Sequence, residues 1–320
     1  MKASTRGRVA AALAIAFMFT RTAAADEHAS LDIGGATIAI EWDSALAPVA
    51  GELRRWVDYS ARVVARFYGH FPVKRLSLRL DAQRGGGVGG GVTTNTAGAE
   101  ISIRVGTDIT REQLADDWVL VHEMVHLALP EVGHRHNWLA EGLATYIEGI
   151  ARAQAGTRPV LDVWSEYRRS MRVGLPKAGE GGLDQTHTWA RTYWGGALFC
   201  LQADVSIREQ SQNRYSLRDS LIAILDATGG YAGPSAPRGV DINEVFRIGD
   251  RATHTTVLTD LYARAKDSPD TPDLDSLWKR LGVRADKDGI ALDDTAPLAK
   301  LRVDMTRATP PSAAAPDIAR

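Results

Sequence analysis

The sequence predicts an α+β fold, a small mixed sheet and one motif-bearing helix packed against a mostly helical C-terminal half. Three observations predict it. Apolar residues alternate with period two at 36–42, 73–80 and 99–105, all in the first third of the chain. Between the first two of these segments, and from 110 onward, apolar residues recur at helical spacing instead. The order is therefore strand, helix, two strands, then helices, which segregates a sheet from a helical half.

Composition narrows the classes. With 320 residues, 44% hydrophobic and 24% charged, the chain can bury a sizeable core, and it is neither disordered nor collagen-like. The formal net charge of −1 gives no global basic field, so nucleic acid is not an expected partner. Cys200 is the sole cysteine, which excludes an internal disulfide and a thiolate metal cage.

The first 25 residues read as a secretory signal peptide: Lys2, Arg6 and Arg8, an apolar run at 9–19, then Ala23-Ala24-Ala25 before Asp26. The run is shorter than the ~20 residues a bilayer span needs, so no stable membrane insertion is expected after its removal. The leader carries four basic and no acidic residues, and without it the chain has 34 basic against 39 acidic residues, a net charge of −5. The expected location is periplasmic or secreted. One domain is expected at 26–305, its sheet-containing half at 26–130 and its helical half at 131–305. A proline- and alanine-rich disordered tail is expected at 306–320.

Each element has its reason. The segment 36–42 alternates and reads as a strand. At 48–71, Leu53, Trp56, Val57, Ala61, Val64, Phe67 and Tyr68 fall on one helical face, as in a helix covering a sheet. Leu76, Leu78 and Leu80 mark a second strand, and Ile101, Ile103 and Val105 a third, which could present an edge to an extended peptide. Between them 84–94, with Gly-Gly-Gly-Val-Gly-Gly-Gly at 85–91, reads as a flexible loop, and it lacks the lysine of a phosphate-binding loop. Thr110 and Gln113 form a capping box for one helix running to about Leu129, where Pro130 stops it. Asn137 is a plausible N-cap for the next, and a long helix is expected from about Thr188 to Gln210. Further helices are expected at 217–226, 242–246 and 256–266.

The chemistry concentrates in His122-Glu123-Met124-Val125-His126, an H-E-x-x-H motif inside a predicted helix. Residues four apart share a helix face, so both imidazoles can address one metal ion. Glu123 is turned about 100° from His122, which sets a carboxylate beside the open coordination position. A catalytic zinc takes three protein ligands and keeps one position for water. Glu141, in the apolar helical stretch 137–146, is the expected third ligand, because an unpaired carboxylate there would be costly. Glu148, two turns on, is its rival. Gly142 and Ala144 are small enough to let this helix pack closely on the motif helix.

These residues resemble the gluzincin zinc metallopeptidases, nearest to the glycyl aminopeptidase-like and aminopeptidase N-like catalytic domains. The stretch 138–146 is similar to their E-G-x-A-x-Y segment, and Tyr193-Trp194-Gly195-Gly196-Ala197 to their tyrosine-glycine helix. The resemblance implies a zincin-like fold, one zinc ion per chain and a peptide or protein substrate. It implies His122, His126 and Glu141 as ligands, Glu123 as general base and Tyr193 as donor to the developing oxyanion. Packing of a helix start is the other reading of Tyr193, and His187, Tyr146 and His136 are weaker candidates for that donor. Only 14 residues separate His126 from Glu141, a short spacing for those families, and 85–94 lies where their amino-terminus-binding signature would fall. The alternative function is a catalytically inactive binding protein of the cell envelope that kept the fold.

Overall fold

The structure, a computed structural model, describes residues 27–233, 239–287 and 289–308. The expected leader at 1–25, and all but the first three residues of the expected tail at 306–320, lie outside the described residues.

Strands β1 (Glu27–Ile33), β2 (Ala36–Trp42), β3 (Arg75–Gln83), β4 (Val88–Thr94) and β5 (Glu100–Gly106) form a mixed sheet in the order β1-β2-β3-β5-β4. The β2/β3 and β3/β5 pairs are parallel, and β1/β2 and β4/β5 antiparallel. Parallel neighbours need a crossover, and helix α1 (Ala50–Tyr68) supplies it between β2 and β3. Strict alternation buries Ile38, Ile40, Leu76, Leu78, Ile101 and Ile103 on one face and exposes the other. Burying each such side chain is worth roughly 1.5–3 kcal/mol. All seven apolar residues that mark α1 in the sequence are buried. The helix is shorter than its pattern, because 44–49 forms a 3₁₀ turn and Gly69, at φ 89°, ends it in the left-handed region.

Three sequence expectations are corrected here, two of them at the glycine-rich segment. The glycine-rich segment is not simply a loop. It forms β4, paired antiparallel with β5 through a bulge between Val88 and Gly91, because tertiary pairing overrides low strand propensity. It is also β4, not β5, that lies at the sheet's edge. Third, the single helix expected from Thr110 is two, α2 (Arg111–Asp116) and α3 (Val119–His126). The Thr110–Gln113 capping box starts α2. The break falls at Asp117, whose buried carboxylate accepts the amides of Val119 and Leu120 at 3.1 Å each and restarts the helix.

Beyond Pro130 the chain is helical: α4 (Asn137–Gln154), α5 (Val160–Ser170), a π-helical turn (Ala190–Gly195), α6 (Gly196–Gln210), α7 (Leu217–Thr228), α8 (Ile242–Thr253), α9 (Val257–Ala265) and α10 (Leu274–Leu281). A hairpin of β6 (Val283–Asp286) and β7 (Gly289–Leu292) follows, then α11 (Ala299–Thr306), whose last residue was expected in the tail. Asn137 opens α4 as its first residue and His136 holds the cap position. Helices α4 and α6 are buried along most of their length, and one continuous apolar core runs from Ile33 to Met305. Cys200 lies in that core, burial pushing its thiol far up. No helix among the described residues is long and apolar enough to cross a membrane.

Candidate metal centre

Helix α3 packs between α1 and β4, and α4 crosses it from the helical half. This crossing brings the motif histidines to Glu141, one turn into α4. Glu141 Oε2 lies 3.2 Å from His122 Nε2 and 3.6 Å from His126 Nε2. The two rings stand edge to face, 4.9 Å apart, as i and i+4 partners on one helix face must. His122, Glu123 and His126 each offer a donor atom within 4.8 Å of the others. Two imidazole nitrogens and one carboxylate oxygen converging on one point are the donor set of a catalytic zinc, so the residues fit that ion.

The electrostatics agree. Burial opposes the charge on Glu141, but hydrogen bonds and charge from His122 and His126 outweigh it and hold its carboxyl well below the usual range. Burial is the largest influence on His122 and lowers its pKa, which favours the neutral ring that a metal ligand must be. At His126 burial acts in the same direction but Glu141 and Glu123 prevail, and its pKa is raised. Behind His122, Nδ1 is buried and meets no acceptor among the described residues. Packing holds the ring in place of the usual carboxylate or carbonyl: Tyr193 stacks on it at 6.1 Å, and Trp118 meets it edge-on at 5.4 Å.

Glu123 has a partner that the sequence did not suggest. Thr93 Oγ1, on β4, donates to Glu123 Oε2 at 2.7 Å and lies 3.0 Å from the Glu123 carbonyl oxygen. Gly91 makes this approach feasible, since a Cβ there would fall 2.6 Å from Glu123 Cγ. The signal available beforehand was the glycine run itself, which inside a strand marks a close approach of backbone to a neighbour.

Tyr193 sits in the π-helical turn, a local widening of the helix that often marks functional positions. Burial, then the charge and hydrogen bonding of Glu141, then the charge of Glu123, push its hydroxyl up to about 12, so it stays protonated and able to donate. The five expected site residues are thus gathered in one place. The weaker donor candidates are not. Tyr146 is buried and donates to Asp204 Oδ2 at 2.9 Å. His136 Nδ1 faces Asp184 Oδ1 at 2.8 Å, and His187 is exposed. Glu148, the rival ligand, is paired with Arg152 at 2.8 Å and Arg158 at 3.3 Å. Gly142 does not face α3. A Cβ there would meet Gly196 of α6 at 2.3 Å, so its smallness serves a different crossing.

An H-E-x-x-H helix under the edge of a mixed sheet, with the third donor on the next long helix, defines a zincin-type fold of the gluzincin kind. No protein-family model matches the sequence, and no curated protein matches it. Among solved structures the chain matches an aminopeptidase N family protein from Idiomarina loihiensis with TM-score 0.56 and 11% identity, over 83% of this chain and 51% of that one. It matches the M1 zinc metallopeptidase from Deinococcus radiodurans with TM-score 0.50 and 16% identity, over 78% and 53%. The chain spans about half the length of these proteins, and the likeness is one of fold.

Proposed function

We propose that this chain is an exported zinc-dependent metallopeptidase that hydrolyses peptide bonds. The observation that carries the reading is the meeting of His122, His126 and Glu141 at one point with Glu123 fixed beside it. Export rests on the basic, apolar and small-residue order of the first 25 residues. A peptide substrate is in keeping with a two-domain M1 zinc metallopeptidase of like fold, solved with L-arginine bound.

His122, His126 and Glu141 would hold one zinc ion, which when bound polarises a carbonyl and makes water a nucleophile near neutral pH. Glu123 would accept the proton of the attacking water and return it to the leaving amine. Thr93 fixes which carboxylate oxygen faces the reacting atoms. Tyr193 donates its hydroxyl hydrogen to the oxyanion that develops on the carbonyl, a contact whose removal typically costs 10²–10³ in kcat.

The test is elemental analysis beside turnover. The purified mature chain is expected to carry about one zinc, and His126→Ala and Glu141→Ala to lose it, because a three-ligand site does not survive on two. Glu123→Gln is expected to keep the zinc and lose activity on a peptide mixture by roughly 10²–10⁴-fold. A wild-type chain that stays metal-free after reconstitution with zinc would sink the reading.

A further inference from the structure

We propose that the site acts within polypeptide chains, on extended stretches carrying apolar side chains, and not at free amino termini. This deepens the peptidase reading above and rests on it.

The first observation is the position of β4. The sheet order ends there, so among the described residues no further strand pairs with its outer edge. An open edge offers N–H and C=O groups that an extended peptide satisfies by adding itself as a further strand. This edge runs beside Glu123, to which Thr93 is bonded at 2.7 Å and which Gly91 all but touches. The 88–94 segment carries no charged residue and three consecutive glycines, so neither bulk nor charge stops a chain from passing through in both directions. A peptide docked there has both ends outside the centre.

The second observation concerns charge. An amino terminus held in a cleft brings an ammonium that must meet a carboxylate when it leaves water. The carboxylates at this centre are already engaged, Glu141 between the two imidazoles and Glu123 on Thr93. Near the ends of the motif helix, Asp117 turns to the amides of Val119 and Leu120 and Glu131 to that of Gly133 at 3.0 Å. Among the described residues, each of these four carboxylates already has a partner, so none of them stands open to anchor an ammonium.

The third observation is the rim. Trp118 is 51% exposed and lies against His122, and Trp189 is 63% exposed and stacked on Tyr193 at 5.8 Å. Val92, next to Thr93, is 58% exposed. Large apolar side chains clustered in the open around a reactive centre mark a binding surface for apolar groups.

The experiment uses the zinc-loaded mature chain and one apolar peptide of about twelve residues, long enough to cover a strand pairing. It is made with a free amino terminus and again acetylated at that end and amidated at the other. Mass spectrometry of the products should show the same internal bond cut in both forms, with kcat/KM of the same order. Exchanging the apolar residues for aspartate and lysine should lower kcat/KM by about tenfold or more. The exposed pair Trp118→Ala with Trp189→Ala should raise KM by about five- to tenfold more for the apolar peptide than for the charged one, while any change in kcat falls on both alike. Stepwise trimming from the amino terminus, abolished by acetylation, overturns the proposal and leaves the peptidase reading standing. A zinc-loaded enzyme that cuts neither form overturns both.

Discussion

At the scale of single residues, the centre depends on a hydroxyl as much as on its motif. Thr93 holds Glu123 from a different element, so the proposed base is aimed by a strand that carries none of the proposed metal donors. Thr93→Val keeps the shape and removes the bond. The expected result is a fall in kcat of about 10–100-fold with zinc content unchanged, the usual effect of a residue supporting a catalytic group. Stopped-time assays beside elemental analysis would read both. His122, Glu123 and His126 were legible because a helix must space two imidazoles by four to address one ion. Glu141 was legible because a carboxylate in an apolar helix needs a reason. Thr93 was not, because a hydroxyl has no spacing rule and its segment has loop composition. Tyr193 came forward through the family resemblance, and the π-helical turn that aims it leaves no mark in the apolar period.

Among the elements, α4 matters most, because it carries Glu141 and its start is anchored by a carboxylate far along the chain. Asp184, with its side chain fully buried, accepts from Trp138 Nε1 at 2.8 Å and Tyr262 hydroxyl at 2.7 Å and faces His136 Nδ1 at 2.8 Å. Asp184→Ala would leave these donors buried without an acceptor. Urea unfolding should show a loss of about 3–5 kcal/mol, as when one partner of a buried charged network is removed. Asp184→Asn should recover only part of it, since the amide turns an NH₂ toward donors. Strands β2, β3 and β5 and helix α1 could be read from periodicity because one face of each meets the core. The split between α2 and α3 could not, since it depends on a carboxylate choosing backbone partners. Strand β4 could not, because glycine carries no pattern. Short peripheral elements such as α10 and the β6–β7 hairpin were likewise passed over, being too brief for a period to build.

For the whole molecule, the proposed metal donors straddle the two halves: His122 and His126 come from the sheet side, Glu141 from the helical side. An ion bound there ties α3 to α4 and stabilises the folded chain by mass action, about 2.7 kcal/mol at a free concentration 100 times Kd. Stripping it with a chelator should lower Tm by several degrees, roughly 5–10 °C, and restoring zinc should reverse this. Calorimetry with and without the chelator checks it, and an unchanged Tm would mean that no ion bridges the halves. Fold class was legible at this scale because the alternating and helical segments are segregated along the chain. The join between them was not, because the meeting of α3 with α4 is a long-range contact that no local period encodes.

A crossing within the helical half has a consequence for how such a chain can diverge. At the crossing of α4 and α6, a Cβ on Gly196 would fall 2.1 Å from the Trp138 carbonyl oxygen, and one on Gly142 would strike Gly196. The spacing between the helix of Glu141 and the helix that follows Tyr193 is therefore set by main chain alone. Descendants can rewrite the tryptophan rim and the open strand, and so change diet, without disturbing that spacing. They cannot alter either glycine without parting carboxylate from tyrosine. Kin too remote to align by overall likeness should still carry the two glycines in step, each a fixed distance in sequence from the chemical group it serves.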